Sequence, residues 1–412
     1  MSGSVPTTAP DAQEPVHSVA ELPVAERRDE AWRRLGAQGG AVPLADGLAV
    51  TGFAGVKAVL REPNLFSAQQ AFATVETGYP LIPLAFDPPE QTRYRRLLQP
   101  YFSPRRIRPL EAALRAQVVD IVEELKARGS CEFVQDVAVP FPTQALLTLL
   151  GLPLEDSARL TVWKDAALEL TAEASGELQL SDEERSLRME RTLAMAGYFS
   201  ELIGERRRHP GDDVLSELLS LDGDDRLSDE EVMGLCLMFV VAGLETVTDA
   251  LSLGMERLAA HPELRRELVA DPSLVPAAVE ELLRLDPPAP FLPRVTAEDT
   301  ELDGCPVPAG TWINAHLSTA NRDEECCPHA QRADFHRTEN PHTSFGLGAH
   351  RCLGAHLARL EMQLVYEEWH RRIPQYAITP GTEHRARLLR ANIGMESLHL
   401  TFGADAQPAS AP

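Results

Sequence analysis

Apolar residues recur at spacings of three and four along most of the chain, which is the pattern of amphipathic helices. Residues 107–128 and 213–221 show this pattern clearly. The longest predicted helix begins after Ser228, whose capping box is completed by Glu231, and it ends near Ala260, before His261-Pro262. Because its middle is apolar nearly all round, we expect a rod about 45 Å long that crosses the interior.

Short runs typical of β-structure predict a few strands. They lie at residues 48–50, 300–302, 307–313 and 397–402, with Asp303-Gly304 as the turn between the middle two. The fold class is therefore expected to be mainly α with a minor β component. Residues 21–403 are expected to form a single domain, between a disordered leader at 1–20 and a disordered tail at 404–412.

Composition narrows the possible functions. The 412 residues carry a formal charge of -23, which disfavours nucleic acid and acidic small molecules as partners. Six cysteines without an export signal indicate reduced thiols rather than a disulfide framework. The longest apolar run, residues 232–244, is expected to be too short to span a bilayer, so no membrane association and a cytoplasmic location are predicted.

The segment that indicates chemistry runs from Phe345 to Gly354 and contains Cys352 just before a predicted helix that extends to Arg372. Amide groups and the positive end of a helix dipole lower a thiol pKa and favour the thiolate, which is the form that binds metals. Gly346 and Gly348 permit a tight turn beneath a flat ligand, and Gly354 permits close approach of the helix. Two other interpretations are a buried structural cysteine and a zinc site that uses Cys352 with His350 and His356, although the spacing is poor for zinc.

A second motif lies in the middle of the long helix. Ala242-Gly243-Leu244-Glu245-Thr246 places an acid and a hydroxyl inside an apolar rod, where buried polar groups are costly without a partner or a role. Alternatively, the Thr246 hydroxyl bonds the carbonyl of Ala242 and only bends the helix. Both interpretations can hold together.

With these two motifs the chain, from about residue 24 to 402, resembles the soluble bacterial cytochromes P450. The resemblance implies that 21–403 is one catalytic domain of the P450 fold, with its long central helix over haem b. It implies a monooxygenase that uses O2, with Cys352 as the iron ligand, in which Phe345 packs beside the sulfur. Thr246 is then expected to hydrogen-bond bound dioxygen, and Glu245 to relay protons from solvent.

The resemblance also assigns roles to several charged residues. Glu281 and Arg284 share a helix face and, with Arg337, match a structural Glu-Arg-Arg network under the haem. Haem propionates need cations, and the residues that match these positions are Arg95, Arg294 and His350. Gln91 stands where the family often has His, and we expect it to donate a weaker hydrogen bond to a propionate.

The predicted substrate is a hydrophobic small molecule, because the residues expected to line the pocket are mostly apolar. They are the loop 72–86 and the side chains of Phe239, Gly243, Val247, Phe291, Leu292 and Ile393. Tyr79-Pro80-Leu81-Ile82-Pro83 resembles the loop of terpenoid hydroxylases that act on camphor, where the Tyr bonds a substrate carbonyl. Tyr79 could instead cap a surface loop.

The source of electrons is expected to be another protein. The sequence contains neither a GxGxxG fingerprint after a strand nor an iron-sulfur cysteine cluster, so a ferredoxin supplied by an NAD(P)H-dependent reductase is predicted. Its docking site is expected at the basic patch of Arg96, Arg105, Arg106 and Arg351. The alternatives are a peroxide-driven haem-thiolate enzyme and a haem-binding protein without turnover, such as a sensor or an inactive partner protein.

Overall fold

The computed structural model describes residues 15–72, 79, 81–174, 176–389 and 392–403. Helices dominate it, as predicted. Within these ranges the α-helices are α1 (Arg28–Gly36), α2 (Phe53–Arg61), α3 (Ala68–Phe72), α4 (Glu90–Leu98), α5 (Pro104–Ile107), α6 (Glu111–Arg128), α7 (Pro140–Leu150), α8 (Ser157–Ala174), α9 (Asp182–Arg208), α10 (Val214–Leu219), α11 (Asp229–Ala260), α12 (Pro262–Ala270), α13 (Val275–Leu285), α14 (Leu317–Ala320) and α15 (Ala355–Arg372).

The strands form small sheets at the edges of the helical body. They are β1 (Ala41–Leu44), β2 (Gly47–Val50), β3 (Phe66–Ser67), β4 (Ser130–Glu132), β5 (Phe291–Thr296), β6 (Thr300–Leu302), β7 (Cys305–Val307), β8 (Trp312–His316), β9 (Tyr376–Ile378), β10 (Ala386–Leu389), β11 (Asn392–Met395) and β12 (His399–Phe402). One sheet has the order β1-β2-β8-β5-β3, in which only the β2–β8 pair is parallel. A second sheet has the order β4-β12-β9, and β6-β7 and β10-β11 form two-stranded pairs. The mainly α class with a minor β component is confirmed.

The central helix α11 forms as its sequence predicts. The Ser228 side chain accepts a hydrogen bond from the Glu231 amide, and the Glu231 side chain accepts one from the Ser228 amide, so the capping box is complete. The helix packs against α7, α8, α9, α15 and β11. By length and composition alone this helix could span a membrane, although the apolar run 232–244 within it is shorter. In the protein, 67% of its most apolar window is buried, which is typical of a core helix.

The structure corrects two boundaries predicted from the sequence. The disordered leader was drawn to residue 20, but Val16 and Val19 are buried in the main core and residues 19–21 form a short 3-10 helix, while residues 1–14 lie outside the described ranges. The single predicted strand 307–313 is two strands, because Pro308 lacks an amide hydrogen and Gly310 has a φ of 77°. The predicted tail, 404–412, also lies outside the described residues.

One contiguous cluster of buried side chains extends from Val16 to Leu400 and includes residues of α1, α6, α7, α11, α13 and α15. A smaller cluster lies under α2 and the first sheet. Because residues from both ends of the described chain share the main cluster, this packing supports the proposal of a single unit.

Candidate active site between the central helix and the Cys352 loop

The loop before α15 presents Cys352 at the edge of the core. Gly346 and Gly348 have φ values of 63° and 66°, a left-handed conformation that favours glycine. A Cβ on Gly348 would stand 2.4 Å from the carbonyl oxygen of Leu60 at the end of α2, so the loop packs directly on that backbone. The Cys352 amide donates to the carbonyl of Phe345 at 2.7 Å, which closes the turn.

The Cys352 thiol faces an internal space. The residue is solvent-exposed, yet burial raises the pKa of its thiol, and both hold because the exposed side faces a cavity deep in the protein. The Gly354 amide and the nearby Arg95, Arg359 and Arg351 act in the opposite direction, but they do not outweigh burial. The expectation of a lowered thiol pKa was therefore wrong for the protein alone, because burial of the thiol outweighs the Gly354 amide at the helix start and the nearby arginines.

The resemblance places the long helix over the haem, and from it we infer that the middle of α11 forms the opposite wall of this cavity. Ala242 and Gly243 are exposed in the middle of a mostly buried helix, and a Cβ added to Gly243 would meet no atom within 4 Å among the described residues. The same is true of a Cβ added to Gly354 beside the cysteine. The two glycines thus leave room for a flat ligand between helix and loop. Ala242 was missed as a lining residue because its short side chain gave no signal of its own.

The Thr246 hydroxyl lies half-buried on the same wall. It donates to the carbonyl oxygen of Ala242 at 2.9 Å, the local bond considered as an alternative from the sequence. That bond uses the hydroxyl hydrogen and leaves the oxygen lone pairs able to accept a hydrogen bond. The structure therefore does not force a choice between the local and the functional interpretation.

Glu245 is held by two cations. Its carboxylate accepts a hydrogen bond from Lys164 Nζ of α8 at 2.6 Å and another from Arg387 Nη2 of β10, and Glu245 is 3% exposed. Burial alone would raise the pKa of this carboxyl, but attraction to Lys164 and Arg387 lowers it to about 2. Neither partner was predicted from the sequence. Lys164 stands beside Trp163 in a helix with few charges on its buried face, and a lysine at such a position could have indicated an internal partner.

Arg95, Arg294 and His350 lie at one side of the cavity, and the nearby Asp87 carboxylate attracts Arg294 and His350 without forming an ion pair with either among the described residues. The buried Arg294 side chain donates only to its neighbouring Pro293 carbonyl, and burial lowers its pKa to about 10. Burial and the repulsion of Arg294 and Arg95 lower the pKa of His350 to about 4. Within the described ranges, His350 Nε2 has no hydrogen-bond partner and neither arginine forms an ion pair. Such a set fits the two carboxylates of a haem.

Gln91 takes a different role from the one predicted. Its Nε2 donates to the carbonyl oxygen of Ala349 at 2.6 Å, and the side chain is 1% exposed. It therefore braces the Cys352 loop from α4 rather than presenting its amide group to a propionate. The carbonyl of Ala349 is a closer acceptor for the uncharged amide, which explains the difference.

The Glu-Arg-Arg network forms in the interior of the fold. Arg284 donates two bonds to Glu281, at 2.7 and 2.8 Å, and Arg337 Nε donates a third at 3.0 Å; Glu281 and Arg284 are fully buried. The Asp334 amide and the Asn340 side chain complete the carboxylate's partners. The remaining donors of Arg284 reach the carbonyls of residues 321, 330 and 332, so the network ties α13 to the segment before the Cys352 loop.

The predicted substrate-contact residues divide into three groups. Half-buried side chains are those of Tyr79, Leu81, Phe291 and Leu292, whereas Ile82, Val247 and Ile393 are buried in the core. Phe239 does not fit the prediction, because it packs against Phe102 with ring centroids 5.5 Å apart and lines a separate, small apolar cavity with Leu150 and Phe199. Residues 73–78 and 80 of the predicted loop lie outside the described residues.

The predicted basic patch is partly neutralised. Arg96 pairs with Asp225, and Arg106 pairs with Glu217 at 2.6 Å. Arg105 and Arg351 are exposed.

In the part of the chain that the structure describes, no group of three His, Cys, Asp or Glu side chains is arranged to hold a metal ion, so the zinc interpretation has no support there.

Comparison with known proteins places these features in a family. The cytochrome P450 family model matches residues 181–368. The mycinamicin IV hydroxylase/epoxidase of Micromonospora griseorubida is 37% identical over 295 residues, 71% of this chain and 72% of that protein. The vitamin D(3) 25-hydroxylase of Pseudonocardia autotrophica is 32% identical over 327 residues, 78% of this chain and 77% of that protein.

The same assignment follows from solved structures. The structure of cytochrome P450 CYP109Q5 from Chondromyces apiculatus superposes with a TM-score of 0.83 at 29% identity, covering 95% of this chain and 99% of that one. The predicted fold, the haem b cofactor and the monooxygenase class are thereby confirmed. This chain belongs to the cytochrome P450 family.

Proposed function

We propose that Cys352 is the thiolate ligand of haem b, and that this monooxygenase oxidises a hydrophobic small molecule with electrons from a ferredoxin. The observation that carries the proposal is the cavity itself. It has an exposed thiol on one wall, small residues of α11 on the other, and two unpaired arginines with an unpaired histidine at its side. These are the residues that a thiolate-bound, propionate-bearing macrocycle requires.

Haem held by a thiolate supplies the redox chemistry that activates dioxygen. The chain's own part begins with Arg95, Arg294 and His350, which would hold the haem propionates. Gln91 keeps the Cys352 loop in place through Ala349. Ala242 and Gly243 would leave space for the haem beside α11, because Gly243 has no side chain and Ala242 carries only a methyl group.

Thr246 and Glu245 control protons on this side of the cavity. With its hydrogen given to Ala242, the Thr246 oxygen accepts a hydrogen bond and so orients a donor in the cavity. Glu245 is ionised at neutral pH, because Lys164 and Arg387 hold its pKa near 2. It acts as a proton acceptor only after one of these ion pairs opens, and it then passes the proton toward Thr246.

The proposed substrate is apolar and bulky, such as a terpenoid-like compound or another secondary metabolite. Phe291 and Leu292 offer half-buried apolar surface beside the cavity. Two relatives are named for the oxidation of mycinamicin IV and of vitamin D(3). Spectral titration of the purified holoprotein with a library of such compounds tests the class, since a bound substrate displaces water from iron and shifts the haem band.

The proposed ferredoxin docks where Arg105 and Arg351 remain exposed. Both lie on the side of α15 and the Cys352 loop, and α5, which carries Arg105, packs against α15. An acidic ferredoxin suits this face, whereas Arg96 and Arg106 contribute less because acids neutralise them. Arg105→Glu and Arg351→Glu should slow ferredoxin-driven reduction in a salt-dependent manner, while Arg208→Glu at the end of α9 should not.

The ligand assignment is tested on the reduced carbonyl adduct. We expect a thiolate-type spectrum from the wild-type protein and from Cys305→Ala, which removes an exposed thiol elsewhere, and its loss in Cys352→Ala. A thiolate-type spectrum in Cys352→Ala would refute the assignment. Turnover with ferredoxin, reductase and NAD(P)H, compared with turnover with peroxide, separates the monooxygenase from the peroxide-driven alternative.

A further inference from the structure

Arg359 lies over the ring of Phe345. It belongs to the second turn of α15, and its guanidinium carbon stands 4.2 Å from the centre of the Phe345 ring. A cation at this distance from an aromatic face is attracted by the ring quadrupole. Because the Phe345 carbonyl accepts the Cys352 amide hydrogen, a side chain that fixes Phe345 also fixes the backbone next to the sulfur.

Glu280 of α13 sets the plane of that guanidinium. Arg359 Nε donates to one carboxylate oxygen at 2.6 Å and Nη2 to the other at 2.8 Å, a bidentate geometry that allows one orientation of the fork. His342 Nε2 lies 3.0 Å from the same carboxylate, and the His342 ring packs 6.0 Å from Phe345. Arg359 and His342 thus both pack against Phe345, and Glu280 bonds to both of them.

The charge of Arg359 also acts on the sulfur. The Arg359 guanidinium stands over the Phe345 ring, and the Phe345 carbonyl accepts the Cys352 amide hydrogen, so this positive charge lies near the sulfur. Arg359 and Glu280 carry opposite charges and are both about a quarter exposed. Solvent therefore screens each charge only partly. Glu281, by contrast, is neutralised within its own arginine network and faces away from this cluster.

We propose that Arg359, oriented by Glu280, is a positioning residue that holds Phe345 beside the Cys352 sulfur and makes the bound haem easier to reduce. The inference rests on the proposed function, since it takes Cys352 as the ligand. A positive charge near the thiolate and iron favours the form that carries one more electron. Removing that charge disfavours reduction, and removing the Glu280 charge favours it.

The test is a reduction-potential titration of purified holoprotein. Arg359→Gln should lower the potential by about 59 mV, which corresponds to about a tenfold change in the one-electron equilibrium. Glu280→Gln should raise it, and Arg359→Lys, which keeps the charge without the fork, should fall between Arg359→Gln and wild type. The control is Arg371→Gln, an exposed arginine near the end of the same helix that pairs with Glu368, and it should leave the potential unchanged.

Shifts of the same sign in Arg359→Gln and Glu280→Gln, or no shift in either, would overturn the proposal, because a purely structural role has no reason to produce opposite signs. If Arg359→Gln does not fold, the signs of Glu280→Gln and Arg359→Lys decide the question. The carbonyl-adduct spectrum is recorded first for each protein. A wild type without the thiolate-type spectrum refutes the proposed function, whereas a normal spectrum with unmoved potentials refutes only the role of Arg359.

Discussion

Lys164 of α8 forms a buried ion pair with Glu245 of the central helix α11. The substitution Lys164→Met measures how much this pair contributes to the free energy of unfolding. Lys164 Nζ lies 2.6 Å from Glu245 and 2.8 Å from Asp165, and the lysine side chain is 5% exposed. The two cations bring the pKa of Glu245 from 4.5 to about 2 against the effect of burial. At about 1.4 kcal/mol for each tenfold change, this amounts to about 3 kcal/mol of folding free energy.

Methionine keeps the apolar stem of Lys164 and removes its charge, while Arg387 still holds Glu245. Because the two cations also offset the burial penalty, the Lys164 share is at least half of this net value. We expect Lys164→Met to cost about 2 kcal/mol at pH 7, less than breaking a buried pair that has no second cation. In a Glu245→Gln background the same substitution should cost little. The double-mutant cycle isolates the pair, with a coupling energy of about 2 kcal/mol.

The pH dependence has a defined sign. Because the folded-state pKa of Glu245 is depressed, its stabilising contribution is fully present above pH 4.5 and is lost as pH falls toward 2. The difference in unfolding free energy between wild type and Lys164→Met should thus be largest at neutral pH and shrink between pH 4.5 and 2. Equilibrium urea unfolding, followed by far-ultraviolet circular dichroism at pH 7, 4 and 3, measures it.

A matched lysine provides the control. Lys126 is 53% exposed and lies 3.9 Å from Glu123, so Lys126→Met should change the unfolding free energy by less than about 0.5 kcal/mol at any of these pH values. A coupling energy below about 0.5 kcal/mol between Lys164 and Glu245, or a Lys164→Met effect that stays constant from pH 7 to 3, would refute the electrostatic account of this site.

Three further substitutions probe the cavity and its supports. Arg294→Leu should reduce the haem content of purified protein and speed haem transfer to apomyoglobin, and full retention would contradict the propionate assignment. Glu281→Gln should cost about 3–5 kcal/mol in urea unfolding, because Arg284 is left with an uncompensated buried charge, and a loss below about 1 kcal/mol would argue against the network as a support. Gly348→Ala should lower the melting temperature more than Gly381→Ala does: both glycines have positive φ, but only at Gly348 would the new Cβ meet backbone within 4 Å among the described residues.

Features governed by neighbours in sequence were the predictable ones. The capping box of α11 depends on Ser228 and Glu231, three residues apart, and it formed as predicted because both groups bond each other's amides. The start of α15 and the turn at Asp303-Gly304 followed from equally local rules. The single strand predicted at residues 307–313 was wrong for an equally local reason. Pro308 and Gly310 were included in the strand, although these two residues interrupt it.

The partners of buried charges were not predictable, because they come from distant parts of the chain. Glu245 meets Lys164 from 81 residues away and Arg387 from 142 residues away, and no local pattern carries that pairing. The resemblance located Arg337 beside Glu281 only because it supplied long-range information that the residues themselves lack. Similarly, the resemblance matched Gln91 to a family position that binds a propionate. In the structure the conformation of the Cys352 loop instead brings the Ala349 carbonyl oxygen within hydrogen-bond distance of the Gln91 amide group.

Phe239 shows the limit of helical periodicity for the cavity. Phe239, Gly243 and Thr246 lie along one stripe of α11, so spacing alone assigns all three to the same wall. One turn separates them, however, and at the level of Phe239 the segment around Phe102 fills the space that is open at Gly243. Periodicity therefore determines which way a side chain points, and only the packing of the other elements determines whether it meets the core or the cavity. The exposure of Ala242 and Gly243 in an otherwise buried helix carries that information, and it required the folded chain.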